Sequence, residues 1–196
     1  MSMSMEYEEM RSLLQKSLKT SRYEHSLGVA ETAVALARRF GVDEKQARIA
    51  GLLHDCAREF PNENLIAEAE KRLIMVEAIE RQMPLLLHAY VGARLVREKY
   101  GVDDAAVEQA IWRHTVGGAQ MTKLDKIIWF ADMIEPGRNY PGVEELRALA
   151  RTAGLDEMLL AGLTQSIIFV AQRGGLIHPA TVLARNEILL RMRNKG

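Results

Sequence analysis

From Glu6 to Arg193, apolar residues recur at three- and four-residue spacing, and no segment holds the strict alternation of a half-buried strand. That periodicity predicts an all-α chain, cut into pieces by glycine, proline and capping residues. Glu6 to Leu18 has acids in its first turn and apolar Met10, Leu13, Leu14 and Leu18. Ser21, with Glu24 three residues later, has the form of a capping box. The helix it opens carries His25, Val29, Thr32, Ala33, Leu36 and Phe40 on one face and stops at Gly41. Asp43 is placed to cap a third helix, through Ala47, Ala50, Leu53, His54 and Ala57 to Phe60-Pro61. Asn62 is placed to cap a fourth, with Leu65, Ile66, Ala69 and Leu73 facing inward. A short piece, Val76 to Gln82, precedes Pro84.

The second half repeats the pattern. Leu85 to Tyr100 reads as a helix with His88, Val91, Gly92 and Leu95 on one face, and Gly101 ends it. Asp103 is placed to cap the next, with Val107, Ala110, Ile111 and His114, broken by Thr115-Val116-Gly117-Gly118. Thr122 and Asp125 form a second capping-box pattern before Leu124, Ile127, Ile128, Ala131 and Asp132. A turn-rich loop, Glu135 to Gly142, leads to helices at about Val143 to Ala153 and Asp156 to Arg173. Pro179 suits the first turn of a last helix. No repeat or low-complexity linker divides the 196 residues, so the expectation is one all-α domain, 1–196, with non-parallel helices.

Charge and composition exclude several functions. Lys and Arg total 26 against 26 Asp and Glu, which disfavours a protein that binds by neutralising a nucleic-acid backbone. No apolar run approaches the ~20 residues of a membrane span. Glu6, Glu8 and Glu9 near the start do not fit an export signal. Cys56 is the one cysteine, so no intrachain disulfide forms and a reducing cytoplasm fits. A homodimer suits a helical domain of this size, though no residue specifies it.

The chemistry lies in the histidines. Of five, His25, His54, His88 and His114 fall on the inward faces of four different helices, each among apolar neighbours. His178, before Pro179, reads as a capping or surface residue. Asp55 follows His54 inside Gly51-Leu52-Leu53-His54-Asp55-Cys56-Ala57, and Asp132 ends Ile128-Trp129-Phe130-Ala131-Asp132. Buried apart, such groups each cost about 1–3 kcal/mol without partners. Converging on a metal satisfies them together. Imidazole and carboxylate ligands suit iron, manganese, cobalt, nickel or zinc better than calcium. Such a site lowers the pKa of bound water, and a carboxylate bridging two metals is common in phosphate ester hydrolysis.

The order His25, His54-Asp55, Asp132 resembles the H…HD…D signature of the HD-domain phosphohydrolases, and His88 and His114 resemble the extra histidines of two-metal members. Several strings are similar to the YqeK family of symmetrical dinucleoside tetraphosphatases: Arg22-Tyr23-Glu24-His25-Ser26, the His54-Asp55 stretch, His114-Thr115-Val116-Gly117, Ala131-Asp132-Met133-Ile134-Glu135-Pro136-Gly137-Arg138, and His178-Pro179 with Ala184-Arg185-Asn186. The likeness runs from about Ser17 to Leu190. It implies an all-α HD fold, an iron centre and hydrolysis of diadenosine tetraphosphate to two ADP. It also implies His25, His54, Asp55 and Asp132 as ligands of a first metal. Asp55 would bridge to a second at His88 and His114, or those two histidines would contact phosphate instead.

Beside the resemblance, Arg58 and Arg138 are candidates to hold phosphate in the reaction, with Asp55 at its centre. Lys126 is a weaker one, and backbone amides from Thr115 to Gly118 offer another anion contact. For the base, the stretch Ala171 to Gly175, including Gly174, and the aromatics Tyr23 and Tyr140 are the candidates. Two other readings stand beside this one. One is a different HD chemistry, on a mononucleotide, a deoxynucleotide triphosphate or guanosine tetraphosphate; the other is a non-catalytic nucleotide sensor.

Overall fold

In a computed structural model, residues 5–194 are described, and they form eleven α-helices with no strand among the described residues. They are α1 (Tyr7–Ser17), α2 (Thr20–Phe40), α3 (Glu44–Leu53), α4 (Leu65–Lys71), α5 (Ala78–Gln82), α6 (Leu87–Tyr100), α7 (Ala105–Arg113), α8 (Lys123–Ile134), α9 (Val143–Thr152), α10 (Leu155–Gln172) and α11 (Pro179–Arg193). The all-α reading of the sequence therefore holds.

Helix α8 is the axis. Leu124 through Ala131 are all buried, as expected for a helix apolar around its circumference. Its capping box forms as the sequence indicates, with Thr122 Oγ1 accepting from the Asp125 amide at 3.1 Å and Asp125 Oδ2 from the Thr122 amide at 2.9 Å. Around it pack α2, α3, α7, α9 and α10. The longest helix, α2, lies against both α3 and α8. One connected core joins them, from Met10 and Leu14 of α1 to Ala184 and Ile188 of α11.

Four boundaries differ from the sequence reading. Helix α2 begins at Thr20 with Lys19 as its cap, so the Ser21–Glu24 box is not formed. Asp104, not Asp103, caps α7, accepting from the amides of Ala106 and Val107. Asn62 starts a 3₁₀ turn, Asn62–Asn64, and α4 begins only at Leu65. Leu73 is not core: it follows α4 at φ 57° and is 95% exposed, while Ile74 is buried in its place. The Ile74 amide bonds back to the Ala69 carbonyl at 2.9 Å, the wrap-around that closes a helix through one left-handed residue.

The most consequential difference is in α3. It ends at Leu53 instead of running to Ala57, and a 3₁₀ turn, Cys56–Glu59, follows Asp55. Asp55 itself has φ −102° and ψ 15°. The pair His54-Asp55 thus sits at a helix end. Just before it, Gly51 lets α3 approach α2 closely: a Cβ there would lie 2.7 Å from the Ala30 Cα and 3.1 Å from the Val29 carbonyl oxygen. Backbone cannot give way as a side chain can. Gly51→Ala is therefore expected to destabilise the protein by about 1–3 kcal/mol by forcing α3 off α2. A fall in the urea midpoint at unchanged m-value checks it.

Candidate metal centre and adjoining cleft

Five elements deliver the inward-facing groups. His25 comes from the first third of α2, His54 and His114 from the residues that cap the C-termini of α3 and α7, His88 from the first turn of α6, and Asp132 from the last turn of α8. Each ring is held by its Nδ1 atom. His54 and His114 place theirs 2.7 Å from the carbonyls of Gly51 and Ile111, three residues back. His88 does the same with Leu85. His25 instead meets the Glu135 carboxylate at 3.0 Å. All four partners only accept, so each Nδ1 carries a proton, and Nε2 is the atom that each ring turns inward.

Those nitrogens converge. His25 and His54 Nε2 lie 3.2 Å apart, and His88 and His114 Nε2 lie 3.0 Å apart. Asp55 stands between the pairs. Its Oδ2 is 3.9 Å from His25 Nε2 and 3.6 Å from His54 Nε2. Its Oδ1 is 3.1 Å from His88 Nε2 and 3.7 Å from His114 Nε2. Asp132 Oδ1 joins the first pair, 3.0 Å from His25 and 3.8 Å from His54. Three overlapping sets, His25/His54/Asp55, His54/His114/Asp132 and Asp55/His88/His114, each bring their ligand atoms within 4.8 Å of one another. Pairs of acceptors this close repel unless a proton or a cation lies between them. The donor set fits a divalent metal, and the carboxylate of Asp55, one oxygen toward each pair, has the disposition of a bridge.

Electrostatics keep His54, Asp55 and Asp132 in ligand form. Burial pushes His54 down to about 4, so it stays neutral at physiological pH. Burial alone would raise Asp55, but the surrounding His54, His114 and His88 rings outweigh it and hold it well below the usual carboxylate range. Asp132 is lowered in the same way, burial being outweighed by His25, His54 and Arg138. His25 moves upward, since its bonds to Asp132 and Glu135 outweigh burial. Cys56, next to Asp55, is fully buried and its thiol is pushed far up, which leaves it a packing residue 3.7 Å from the Gly92 carbonyl oxygen.

Two residues that the sequence reading gave no role in the site complete it. Arg22, one turn before His25, donates from Nη1 to Asp55 Oδ2 at 2.8 Å and stays one-third exposed. Glu135 clamps His25 with Oε1 and accepts from the Gly137 amide with Oε2 at 2.6 Å. Gly28 makes room for it, because a Cβ there would fall 2.6 Å from Oε2. The signals were present: Arg22 lies three residues before His25, and Glu135 three after Asp132.

The other expected contacts divide. Arg138 reaches Asp132, donating from Nε to its carbonyl at 2.7 Å and from Nη2 to its carboxylate. Arg58 is half-buried near Asp55, Asp132 and Arg22. Thr115 Oγ1 is 3.3 Å from His88 Nε2 and 3.1 Å from His114 Nε2. The amide of Gly117 is already bonded to the Arg113 carbonyl at 2.9 Å, so it does not serve an anion. Lys126 is a correction: it is buried and ion-paired with Asp156 at 2.5 Å. Six residues on a helix turn through roughly 240°, which puts Lys126 on a different face of α8 from Asp132. Tyr23 is also withdrawn from any base contact, being buried with its hydroxyl bonded by Arg11 at 2.9 Å.

From His114 and Asp132 a cleft of about 730 Å³ opens outward. Thr115, Trp129 and Arg138 flank its inner end, and Tyr140, Pro141 and the exposed half of α10 form its outer walls. Gln172 and Arg173 line it, but Gly174, just past the helix end, does not. Because Glu135 fixes the orientation and basicity of His25, Glu135→Ala is expected to weaken metal affinity about 10–100-fold while leaving the helical signal intact, measured by chelator competition.

The comparisons with known proteins agree with this geometry. The HD domain family model matches residues 22–137, which contain every group in the centre. The symmetrical bis(5'-nucleosyl)-tetraphosphatase of Bacillus subtilis is 39% identical over 94% of this chain and 98% of its own length. The protein of the same name from Halalkalibacterium halodurans is 39% identical, covering 91% of this chain and 94% of its own. A solved structure from Clostridium acetobutylicum, described as a predicted HD superfamily hydrolase involved in NAD metabolism, superposes with a TM-score of 0.91 at 40% identity, over 95% of this chain and 98% of that one. No helix among the described residues is long and apolar enough to cross a membrane. On its fold, its clustered histidines and carboxylates and these relatives, the chain belongs to the HD-domain proteins and, within them, to the family of the symmetrical bis(5'-nucleosyl)-tetraphosphatases.

Proposed function

We propose that this chain hydrolyses diadenosine tetraphosphate at the middle of its phosphate bridge, giving two ADP. The observation that carries the reading is Asp55: one buried carboxylate between two histidine pairs, with Arg22 beside it. The relatives named as symmetrical bis(5'-nucleosyl)-tetraphosphatases point the same way. In this reading His25, His54, Asp55 and Asp132 hold one metal, Asp55 with His88 and His114 a second, and iron is the metal expected, one ion or two. Bound there, a first-row metal supplies Lewis acidity toward a phosphoryl oxygen and a water that ionises near neutral pH.

The chain's own groups do the rest. The substrate bridge carries about four negative charges, and Arg22, Arg58 and Arg138 bring three guanidiniums to the centre. They gather the bridge and stabilise the charge that builds on the departing ADP oxygen. Glu135 holds His25 in one tautomer. Thr115 lies between the His88 and His114 nitrogens and the cleft, positioned to donate to a phosphate oxygen. Water adds to one central phosphorus, the bond from that phosphorus to the central bridging oxygen breaks, and the second ADP leaves with that oxygen.

The same reading takes residues 1–196 as one domain of a cytoplasmic enzyme that acts on a small nucleotide and not on nucleic acid. A homodimer is the expected assembly, supported by the half-exposed Leu183 and Leu190 on α11.

Protein purified without chelator and given a panel of nucleotides should convert diadenosine tetraphosphate to ADP alone, by chromatography. AMP plus ATP as products would refute the symmetrical cut, and bound metal with no turnover of any nucleotide would favour a sensor. Asp55→Ala should lose both metal content and activity, the latter by at least about 100-fold; survival of either at the wild-type level breaks the link between this carboxylate and the chemistry.

A further inference from the structure

Helix α11 supplies no group to the metal centre, yet its first turn is bonded to both segments that carry the His88–His114 pair. His178 caps the helix, its Nδ1 accepting from the Ala180 amide at 3.1 Å. An amide only donates, so the proton of this ring sits on Nε2, whereas each ring of the centre carries one on Nδ1. That Nε2 donates to Glu80 Oε1 of α5 at 3.0 Å. Three residues on, Thr181 Oγ1 donates to the Val116 carbonyl at 2.9 Å, two residues past His114. The rest of α11 follows the same loop. A Cβ at Gly117 would lie 3.3 Å from the Ala184 Cβ, and Glu187 Oε2 accepts from the Gln120 amide at 2.7 Å.

The Glu80 arm reaches His88 by a short path. Helix α5 has five residues, too few to persist without outside contacts. It leads through Met83 into a 3₁₀ turn, Pro84–Leu86, and the Leu85 carbonyl in that turn accepts from His88 Nδ1. Glu80 fixes this run from outside. Its side chain is buried, and Oε2 has no hydrogen-bond partner among the described residues, so the His178 N–H on Oε1 is what compensates the carboxylate. Losing one partner of a buried pair costs more than an ordinary hydrogen bond contributes, because the other is left bare. The two arms close a circuit. It runs from His88 through Leu85 and Glu80 to His178, and from Thr181 through Val116 to His114, whose Nε2 faces that of His88 at 3.0 Å. The other pair is held differently, His25 by Glu135 and His54 by the Gly51 carbonyl.

We propose that Glu80, His178 and Thr181 are positioning residues for the His88–His114 half of the centre: the first turn of α11 clamps the two segments and so sets the affinity of the metal that this half shares with Asp55. This rests on the two-metal form of the proposed hydrolysis, in which those histidines hold an ion. The clamp acts on one half only. His25, His54 and Asp132 belong to α2, the end of α3 and α8, none of which Glu80, His178 or Thr181 bonds.

The test is release of metal from the Mn(II)-loaded full chain under a graded chelator, with freed manganese followed by electron paramagnetic resonance. His88→Ala identifies which class of ion the His88–His114 half holds. His178→Asn retains a capping side chain for α11 but is too short to reach Glu80. His178→Asn and Thr181→Val are each expected to weaken that class about tenfold, the lower end of what orienting partners contribute, and to leave the other class within about twofold. Glu80→Gln retains an acceptor for His178 Nε2 and should keep both classes within about twofold of wild type. Loss of both classes alike in His178→Asn, or of neither, overturns the clamp. A wild type that holds a single ion, or whose release His88→Ala leaves unchanged, overturns the clamp together with the two-metal form. Failure of the hydrolysis reading looks different: the wild type cleaves no diadenosine tetraphosphate, while His178→Asn still weakens the His88–His114 class.

Discussion

Asp55 is 3% exposed, and its carboxylate stays ionised in a site walled by helices. A buried charge without compensation costs several kcal/mol, so its surroundings are dictated by that one group. Arg22 supplies compensation directly and the four imidazoles complete the donor set for a cation, and these residues come from α2, α3, α6 and α7 or the residues that cap them. None of those helices can slide or rotate without withdrawing a partner from Asp55. The packing of α2 on α3 through Gly51, and of α6 and α7 on each other, thus serves the same end as the ligand geometry. Fold and site are set by one constraint.

The end of α3 shows how local backbone meets that constraint. In a continuous helix, neighbouring side chains diverge by about 100°, so His54 and Asp55 would point in different directions. Stopping the helix at Leu53 and entering a 3₁₀ turn after Asp55 lets both face the centre. The C-terminal carbonyls freed by the break are not wasted, since the Gly51 carbonyl accepts from His54 Nδ1. His114 repeats the device at the end of α7 with the Ile111 carbonyl. Orphan carbonyls at helix ends, normally left to water or caps, here orient metal-binding rings.

This explains what could be read from the sequence. The helical class and most helix positions were legible because apolar period and capping residues act locally, as Asp43 and the Thr122–Asp125 box show. The convergence of His25, His54, His88, His114, Asp55 and Asp132 was legible because polar groups on inward faces have few ways to be satisfied. Lys126 was misread because its partner, Asp156, lies on another helix, and a buried lysine in sequence looks like any other. Leu73 was misread because an apolar residue one step past a helix end looks like a continuation of its stripe. Arg22 and Glu135 were not given their roles because both act on the ligands instead of facing inward in the helical pattern themselves.

The division of labour across α8 and α10 follows from packing. Asp132 extends from the most buried helix in the molecule, and chemistry that needs ligand atoms fixed within fractions of an ångström belongs on such an element. Helix α10 has its fully buried residues in its first half. Met158, Leu159, Gly162 and Leu163 are buried, and Gly162 lies so close to α8 that a Cβ would meet the Trp129 ring at 2.8 Å. Beyond Leu163 the helix leaves the core, and Ile168 and Phe169 face open space. One helix is therefore anchored against the reactive centre at one end and presents an apolar wall at the other. That wall is joined to the centre by the cleft through Trp129 and Asp132, an arrangement that lets contacts made away from the bond being broken contribute to binding.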